Sequence, residues 1–239
     1  MSPLRLRRPE GGRPLVVGHR GAAALAPENS LAAIELALGL GVDLVEVDVL
    51  PRADGSLVLA HTRPDAESPS LDGALERIAV SAAGLLLDLK APGIEAAAVK
   101  ALRRYGLLER SVACSVSVRA LRRLAAEEPG LARALSYPDD RLGLAGRPWL
   151  APVVRAGLAA LRRTLPLRAP RWVRATGVDA LSLNWQLVTP ELVDRCHEAG
   201  AAVLAWTVPD AEVAIRLGAT GIDAMIADDP RFLMESPTP

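Results

Sequence analysis

Two histidines in this 239-residue chain stand where apolar runs end. His19 closes Leu15-Val16-Val17-Gly18-His19, and His61 closes Leu57-Val58-Leu59-Ala60-His61. A single histidine at a strand end is more often structural than catalytic. Two at matching places suit a phosphodiester: one imidazole takes a proton from the nucleophile and the other protonates the leaving alkoxide. An ordinary imidazole pKa of about 6.5 allows both protonation states near neutral pH. The third, His197, falls on an expected helix beside Glu198 and reads as a solvent-facing residue.

The acidic residues carry a second signal. In Glu46-Val47-Asp48 the two carboxylates are two residues apart, so on a strand they share one face. They repel unless a cation or a proton lies between them, and hard oxygen ligands suit Mg2+ or Ca2+. Asp88-Leu89-Lys90 repeats the spacing, adding a third carboxylate and a cation aimed at phosphate oxygens. Burying Asp88 and Lys90 in such an apolar run is costly without partners, so a structural ion pair is the competing explanation. Arg20 follows His19 directly and offers a bidentate clamp for phosphate, while Gly21 permits a tight turn.

These residues need a scaffold that gathers strand ends. Short apolar runs at 15–19, 44–49, 85–90, 112–116, 134–137, 180–183, 202–207 and 224–227 read as eight strands. Helical stretches at 30–40, 96–105, 118–127, 190–199 and 210–217 alternate with them. Strands apolar on both faces, alternating with helices, argue for a parallel sheet covered by helices. Eight of them favour an α/β fold of the (β/α)8 TIM barrel type, whose active sites sit at the C-terminal strand ends. Ser30 after Pro27-Glu28-Asn29 is a helix-capping residue, and Gly200 and Gly218 follow expected helix ends. The expectation is one barrel domain over 15–234, with mobile tails at 1–14 and 235–239.

Composition narrows the partners. Lys+Arg and Asp+Glu are each 28, which gives no overall basic footprint for nucleic acid, so no nucleic-acid partner is expected. Cys114 and Cys196 have no metal-ligand spacing and read as free thiols in a reducing, cytoplasmic compartment. The Arg- and Pro-rich start lacks the apolar core of a signal peptide, and no run of about 18 apolar residues suggests a transmembrane segment. In 146–173, Trp149, Val153, Val154, Leu158, Leu161 and Leu165 recur at helical spacing among Arg155, Arg162, Arg163, Arg168 and Arg171, with Arg174 just beyond. Such a helix either packs its apolar stripe on the barrel or makes peripheral contact with an anionic membrane.

Taken in order, Gly18-His19-Arg20-Gly21, Pro27-Glu28-Asn29-Ser30, Gly41, Val45-Glu46-Val47-Asp48, Asp54-Gly55, Val58-Leu59-Ala60-His61, Asp88-Leu89-Lys90, Ala205-Trp206-Thr207-Val208, Gly221-Ile222-Asp223 and Asp228-Asp229-Pro230 resemble the glycerophosphodiester phosphodiesterase family. The ordered set spans nearly the whole expected barrel. The resemblance implies a phospholipase C-like phosphodiesterase barrel that hydrolyses glycerophosphodiesters to an alcohol and glycerol 3-phosphate with one divalent cation, Mg2+ or Ca2+. It implies that Glu46, Asp48 and Asp88 are metal ligands and that His19 and His61 are the acid–base pair. Arg20 and Lys90 then contact phosphate, Trp206 lines the pocket wall and Glu28 supports the site.

Three departures from the family pattern stand out. Asp88 replaces the usual Glu, and Thr62 stands where an Asp usually follows the second histidine. Only 26 residues separate His61 from Asp88, where the family usually carries a longer insertion over the site. That short connection is also similar to sphingomyelinase D/phospholipase D-like relatives, so cleavage of a lysophospholipid or sphingolipid is one alternative. A catalytically silent barrel that binds phosphorylated ligands is another.

Overall fold

A computed structural model describes residues 4–139 and 148–235 of the chain. The expected tail residues 1–3 and 236–239, and residues 146 and 147 of the Arg-rich segment, lie outside the described residues. In chain order the elements are β1 (Leu15–Gly18), α1 (Leu31–Leu40), β2 (Leu44–Pro51), β3 (Leu57–Leu59), α2 (Leu71–Ala79), β4 (Gly84–Leu89), α3 (Glu95–Arg104), β5 (Ser111–Ser115), α4 (Val118–Glu127), β6 (Ala132–Tyr137), α5 (Ala151–Thr176), β7 (Ala180–Asn184), α6 (Pro190–Glu198), β8 (Ala202–Trp206), α7 (Ala211–Gly218), β9 (Ala224–Ala227) and α8 (Arg231–Glu235). All eight expected barrel strands form. β1 pairs in parallel with both β2 and β9, so β1, β2 and β4–β9 close into an eight-stranded parallel barrel.

β3 is a ninth strand of a different kind. It runs antiparallel to the end of β2, with Val49 opposite Leu59. His61 therefore does not crown a barrel strand as His19 does. It descends from a hairpin that rises above the rim and returns, which is why an apolar run before a histidine could not by itself separate the two cases.

Alternation along the strands sorts two cores. Val45, Val47 and Val49 of β2 and Leu85, Leu87 and Leu89 of β4 face outward into the large core shared with the helices. Leu44, Leu86, Val17, Leu204 and Ile226 face inward and fill the lower barrel. Following each inward column by steps of two, Leu44 leads to Glu46 and Asp48, and Leu86 to Asp88 and Lys90. Val17 leads to His19, Leu204 to Trp206 and Ile226 to Asp228. The interior thus turns from apolar to charged toward the C-terminal mouth.

Five of the helices begin where a side chain takes one of the first orphan N–H groups, whereas α3 and α5 start without a side-chain cap. Ser30, Ser70, Ser117, Thr189 and Asp210 each accept a bond from the first turn of the following helix. Ser30 behaves as its sequence context predicts. Gly200 takes φ +88° just after α6, as expected, but Gly218 is the last helical residue of α7, and Gly221 is the residue that takes positive φ, at +84°.

The barrel floor differs from expectation. Residues 4–14 cross it rather than hang free. Leu4 N–H donates to Glu109 O at 2.8 Å, Leu6 is buried among Val17, Leu44 and Leu86, and Arg8 N–H donates to Asp223 Oδ1 at 2.8 Å. Two leucines among arginines and prolines carry too little pattern to announce this docking. Asp223 also accepts from Val203 N–H and holds His197 Nε2 at 2.8 Å, so His197 is a partly buried floor residue, not the solvent-facing one its neighbours suggested.

A candidate active site at the barrel mouth

The carboxylates come from neighbouring strands in register. β2 and β4 place Asp48 directly opposite Asp88, and Glu46 sits one inward position below Asp48. One oxygen from each of Glu46, Asp48 and Asp88 lies within 4.8 Å of the others. A hard cation binds oxygens at about 2.3–2.6 Å for Ca2+, so ligands on opposite sides of one ion are about 5 Å apart. The trio therefore fits one divalent cation in spacing and in donor chemistry.

Asp48 is the hub. Its side chain is fully buried, and its Oδ2 lies 3.0 Å from Arg20 Nε, 3.0 Å from His61 Nδ1 and 3.0 Å from Asn29 Nδ2, which donates to it. Lys90 Nζ approaches Oδ1 to 2.8 Å, yet Oδ1 has no aligned hydrogen-bond donor. Lys90 Nζ also lies 2.5 Å from Asp88 Oδ2. Burial alone would raise the Asp48 carboxyl, but the His61 bond and the charges of Lys90 and Arg20 outweigh it and hold the group well below its ordinary range. Glu46 moves the other way, because burial and the neighbouring Asp48 and Asp88 charges push it well up. Burial also raises Asp88, against the opposing charge of Lys90. Lys90 is itself desolvated, yet the three carboxylates keep it firmly protonated. Such opposite shifts on adjacent carboxylates are the kind of perturbation that clusters at functional sites.

The turn after β1 delivers Arg20 to this hub. Arg20 adopts φ 51°, with its N–H donating to Glu46 Oε2 at 2.7 Å and its guanidinium donating to Glu28 Oε2 at 2.5 Å. Gly21 follows at φ +85°, and a Cβ there would lie 2.5 Å from the Ala33 backbone, so only glycine lets the turn press against α1. Glu28 thus stands behind Arg20.

Both histidines are held the same way. His19 Nδ1 lies 2.6 Å from Asp228 Oδ1, and His61 Nδ1 lies 3.0 Å from Asp48 Oδ2. An ionised carboxylate only accepts, so each Nδ1 carries its proton and each Nε2 is left for other work. His19 Nε2 is 3.9 Å from Glu46 Oε2. The His19 bond holds Asp228 below its ordinary value.

His19, Arg20, Glu46, His61, Asp88, Lys90 and Trp206 all line one cavity of about 650 Å3 at the mouth. Asp48 lies beneath it, fully buried, and Glu28 beside it, its side chain half exposed. Every residue singled out in the sequence is thus brought to one place. Two residues were not singled out. Asn29, at φ 56°, donates to Asp48 and accepts from the Asp48 N–H at 3.0 Å. Asp228 orients His19. The inward period of two that selected Glu46 and Asp48 also reaches Asp228 from Ile226, a signal that was present.

Comparison with known proteins bears on the family and the fold. The profile of the glycerophosphoryl diester phosphodiesterase family matches residues 19–82 and 88–231. The chain is 27% identical over 260 residues to the glycerophosphodiester phosphodiesterase of Caldanaerobacter subterraneus subsp. tengcongensis, covering 92% of this chain and 96% of that protein. Among solved structures, an Oleispira antarctica phosphodiesterase in complex with sn-glycerol-3-phosphate superposes with a TM-score of 0.74 at 23% identity, covering 94% and 96% of the two chains. A glycerophosphodiester phosphodiesterase of Agrobacterium tumefaciens superposes with a TM-score of 0.69 at 21% identity, covering 93% and 99%. With a family match over most of its length and the barrel those structures share, this chain belongs to the glycerophosphoryl diester phosphodiesterase family.

Proposed function

We propose that the barrel hydrolyses glycerophosphodiesters to an alcohol and glycerol 3-phosphate, using His19 and His61 as its acid–base pair. The observation that carries this reading is the convergence of the acidic trio, two cationic side chains and two carboxylate-held imidazoles on one cavity. Glu46, Asp48 and Asp88 would hold one Mg2+ or Ca2+. When bound, the ion neutralises phosphate charge and favours ionisation of a nearby hydroxyl.

The protein's own groups do the rest. Arg20, backed by Glu28, and Lys90, fixed between Asp48 and Asp88, hold the phosphoryl oxygens and stabilise the charge that develops on them. One histidine enters neutral, and its Nε2 takes the proton of the attacking water or substrate hydroxyl. The other enters as imidazolium, and its Nε2 proton passes to the alkoxide as the phosphorus–oxygen bond breaks. Trp206 forms a wall of the cavity. Its Nε1 is buried without a hydrogen-bond partner, which supports a role against a polar substrate group. Cys114 and Cys196, both free and buried, support a reducing cytoplasmic setting.

One observation favours a second reading. Only the nine-residue α2 lies between β3 and β4, a connection short enough to admit a lysolipid headgroup with its chain trailing outward. Phosphorus NMR with glycerophosphocholine and lysophosphatidylcholine side by side, with Mg2+ or Ca2+ and with chelator, separates the readings. Metal-dependent release of glycerol 3-phosphate from the first substrate is the expected result. Activity confined to the lysolipid, above all with a cyclic phosphate signal, would move the protein to the lipid-cleaving class. Silence on every phosphodiester would leave a ligand-binding barrel.

A further inference from the structure

We propose that the mouth-side half of α5 docks this protein on an anionic lipid surface. The inference goes beyond the catalytic reading and does not depend on it. It rests on length, exposure and charge at one place in the fold.

Among the described residues α5 has 26 residues, whereas the other helices have ten or fewer. Its C-terminal end is fixed at the barrel floor. Arg133, beside the start of β6, donates from its guanidinium to Gly177 O at 2.9 Å, and its N–H donates to Asp179 Oδ2 at 2.8 Å. Twenty-six helical residues extend about 39 Å, while a six-residue barrel strand spans about 20 Å. The surplus must therefore pass the mouth. Burial agrees: Leu165, Pro166, Ala169 and Val173 are buried against the barrel, Leu158 and Leu161 pack on it only partly buried, and the first turns of α5 before Leu158 contribute no core residue. Pro138 and Asp139, which follow β6, line the catalytic cavity.

The overhanging part presents apolar groups outward. Trp149, in the turn just before α5, is 74% exposed, and Val153 is 67% exposed. Val153, Ala156, Ala160, Arg163 and Leu167 recur at steps of three and four on one exposed stripe. Val154, Leu158 and Leu161 occupy the other side and are half-buried. The helix thus has an outer stripe of four apolar residues and one arginine besides the apolar side it turns toward the protein.

Charge selects the occupant. From residue 141 to residue 178 the sequence has eight arginines and no acidic residue. Of these, Arg155, Arg162 and Arg163 are exposed on the overhang. The rest of the chain holds 20 basic residues against 28 acidic, so the excess of positive charge is local. A second copy of the same helix would bring the same arginines and be repelled. An anionic bilayer accepts both features at once, with tryptophan and aliphatic groups at the headgroup boundary and arginines on lipid phosphates.

The test uses full-length protein, no substrate and co-sedimentation with vesicles of phosphatidylglycerol and phosphatidylcholine, or of phosphatidylcholine alone. Binding is expected to the anionic vesicles and to fall at high salt. Each basic group near such a surface changes partition about fivefold, so the triple variant R155Q/R162Q/R163Q, which removes three charges, should lose roughly 100-fold. Trp149→Ala should lose several-fold. Both variants should keep the wild-type melting temperature and wild-type turnover of a soluble phosphodiester. Quenching by brominated lipid, compared between wild type and Trp149→Phe, reads insertion at this one residue even if the triple variant fails to fold. No binding of wild type to anionic vesicles at low salt, equal binding to neutral vesicles, or undiminished binding by the triple variant would overturn the proposal. So would a wild-type dimer in sedimentation that Trp149→Ala converts to monomer, which would assign the surface to a second copy.

Discussion

Strand β9 carries a histidine–aspartate pair at each end, and the two pairs have opposite consequences. At the floor, Asp223 has a fully buried side chain and bonds His197 Nε2, Val203 N–H and Arg8 N–H. At the mouth, Asp228 is half exposed and bonds His19 Nδ1. The chemistry of the pair is the same. The surroundings differ: the floor carboxylate gathers backbone donors and pins the N-terminal segment to β8 and α6. The mouth carboxylate fixes one side of an imidazole whose other nitrogen faces buried charge and a cavity. A histidine–aspartate bond by itself therefore says nothing about catalysis; what its second nitrogen meets decides it.

The largest expected contrast is between the two rings. His19→Ala should lower kcat by on the order of 10²–10⁴-fold with little change in Tm, and His61→Ala should do likewise. His197→Ala should leave kcat within a few-fold and lower Tm, because Asp223 loses a buried partner worth about 1–3 kcal/mol. Steady-state kinetics and thermal melts on the three variants check this. A catalytic loss in His197→Ala equal to that in His19→Ala would erase the distinction.

The carboxylates should repeat the contrast at smaller scale. Asp228→Asn keeps the size of the group but weakens its hold on His19, so kcat should fall by about tenfold or more, within the limit set by losing the ring itself. Asp223→Asn presents an amide to at least two backbone N–H donors in a buried site, and should cost about 2–4 kcal/mol of stability while kcat holds. Equal stability losses in the two variants would mean that the mouth pair is structural as well.

How much of this contrast the sequence could carry depends on which contacts are periodic. The eight barrel strands were legible because their apolar runs and intervening helices are spaced by local geometry. Glu46, Asp48, Asp88 and Lys90 were legible because a period of two converts directly into a shared face. His61 was legible as a site residue but not as a hairpin residue, since a strand's direction is set by its partner. Asn29 looked like a turn residue and proved to be the partner of Asp48, a contact across 19 positions. Floor contacts were the least legible. The Arg8–Asp223 bond spans 215 positions, and no local pattern marks either end.

Mouth and floor should also respond differently to pH. Glu46 and Asp88 are raised in the folded protein, so the fold holds their protons more tightly than the unfolded chain does. Stability should then fall as pH rises through their raised values. Asp48 has the opposite sign. Its contribution is present above the ordinary aspartate value and is lost only as pH falls through its lowered one, below the range of the experiment. With chelator present, Tm should decline as pH rises above the ordinary carboxylate range, and a divalent cation should flatten the decline because it binds the ionised carboxylates. Glu46→Gln should flatten it without the cation. A Tm that rises with pH in chelator would reverse the assignment of strain to the mouth.

The smallest expected effect probes the floor alone. Leu6 is 7% exposed and closes the apolar interior beneath Val17, Leu44 and Leu86. Removing its side chain leaves a gap at an edge that can partly collapse, so Leu6→Ala should cost about 2 kcal/mol, the low end for a buried leucine. In a protein of this size that lowers Tm by about 4–8 °C. The acidic trio lies in the layers above those residues, so kcat and the dependence on divalent cation should match wild type. If Leu6→Ala changed the cation concentration needed for half-maximal rate, the lower barrel would be transmitting strain to the carboxylates, and mouth and floor would have to be treated as one coupled unit rather than as two ends with separate duties.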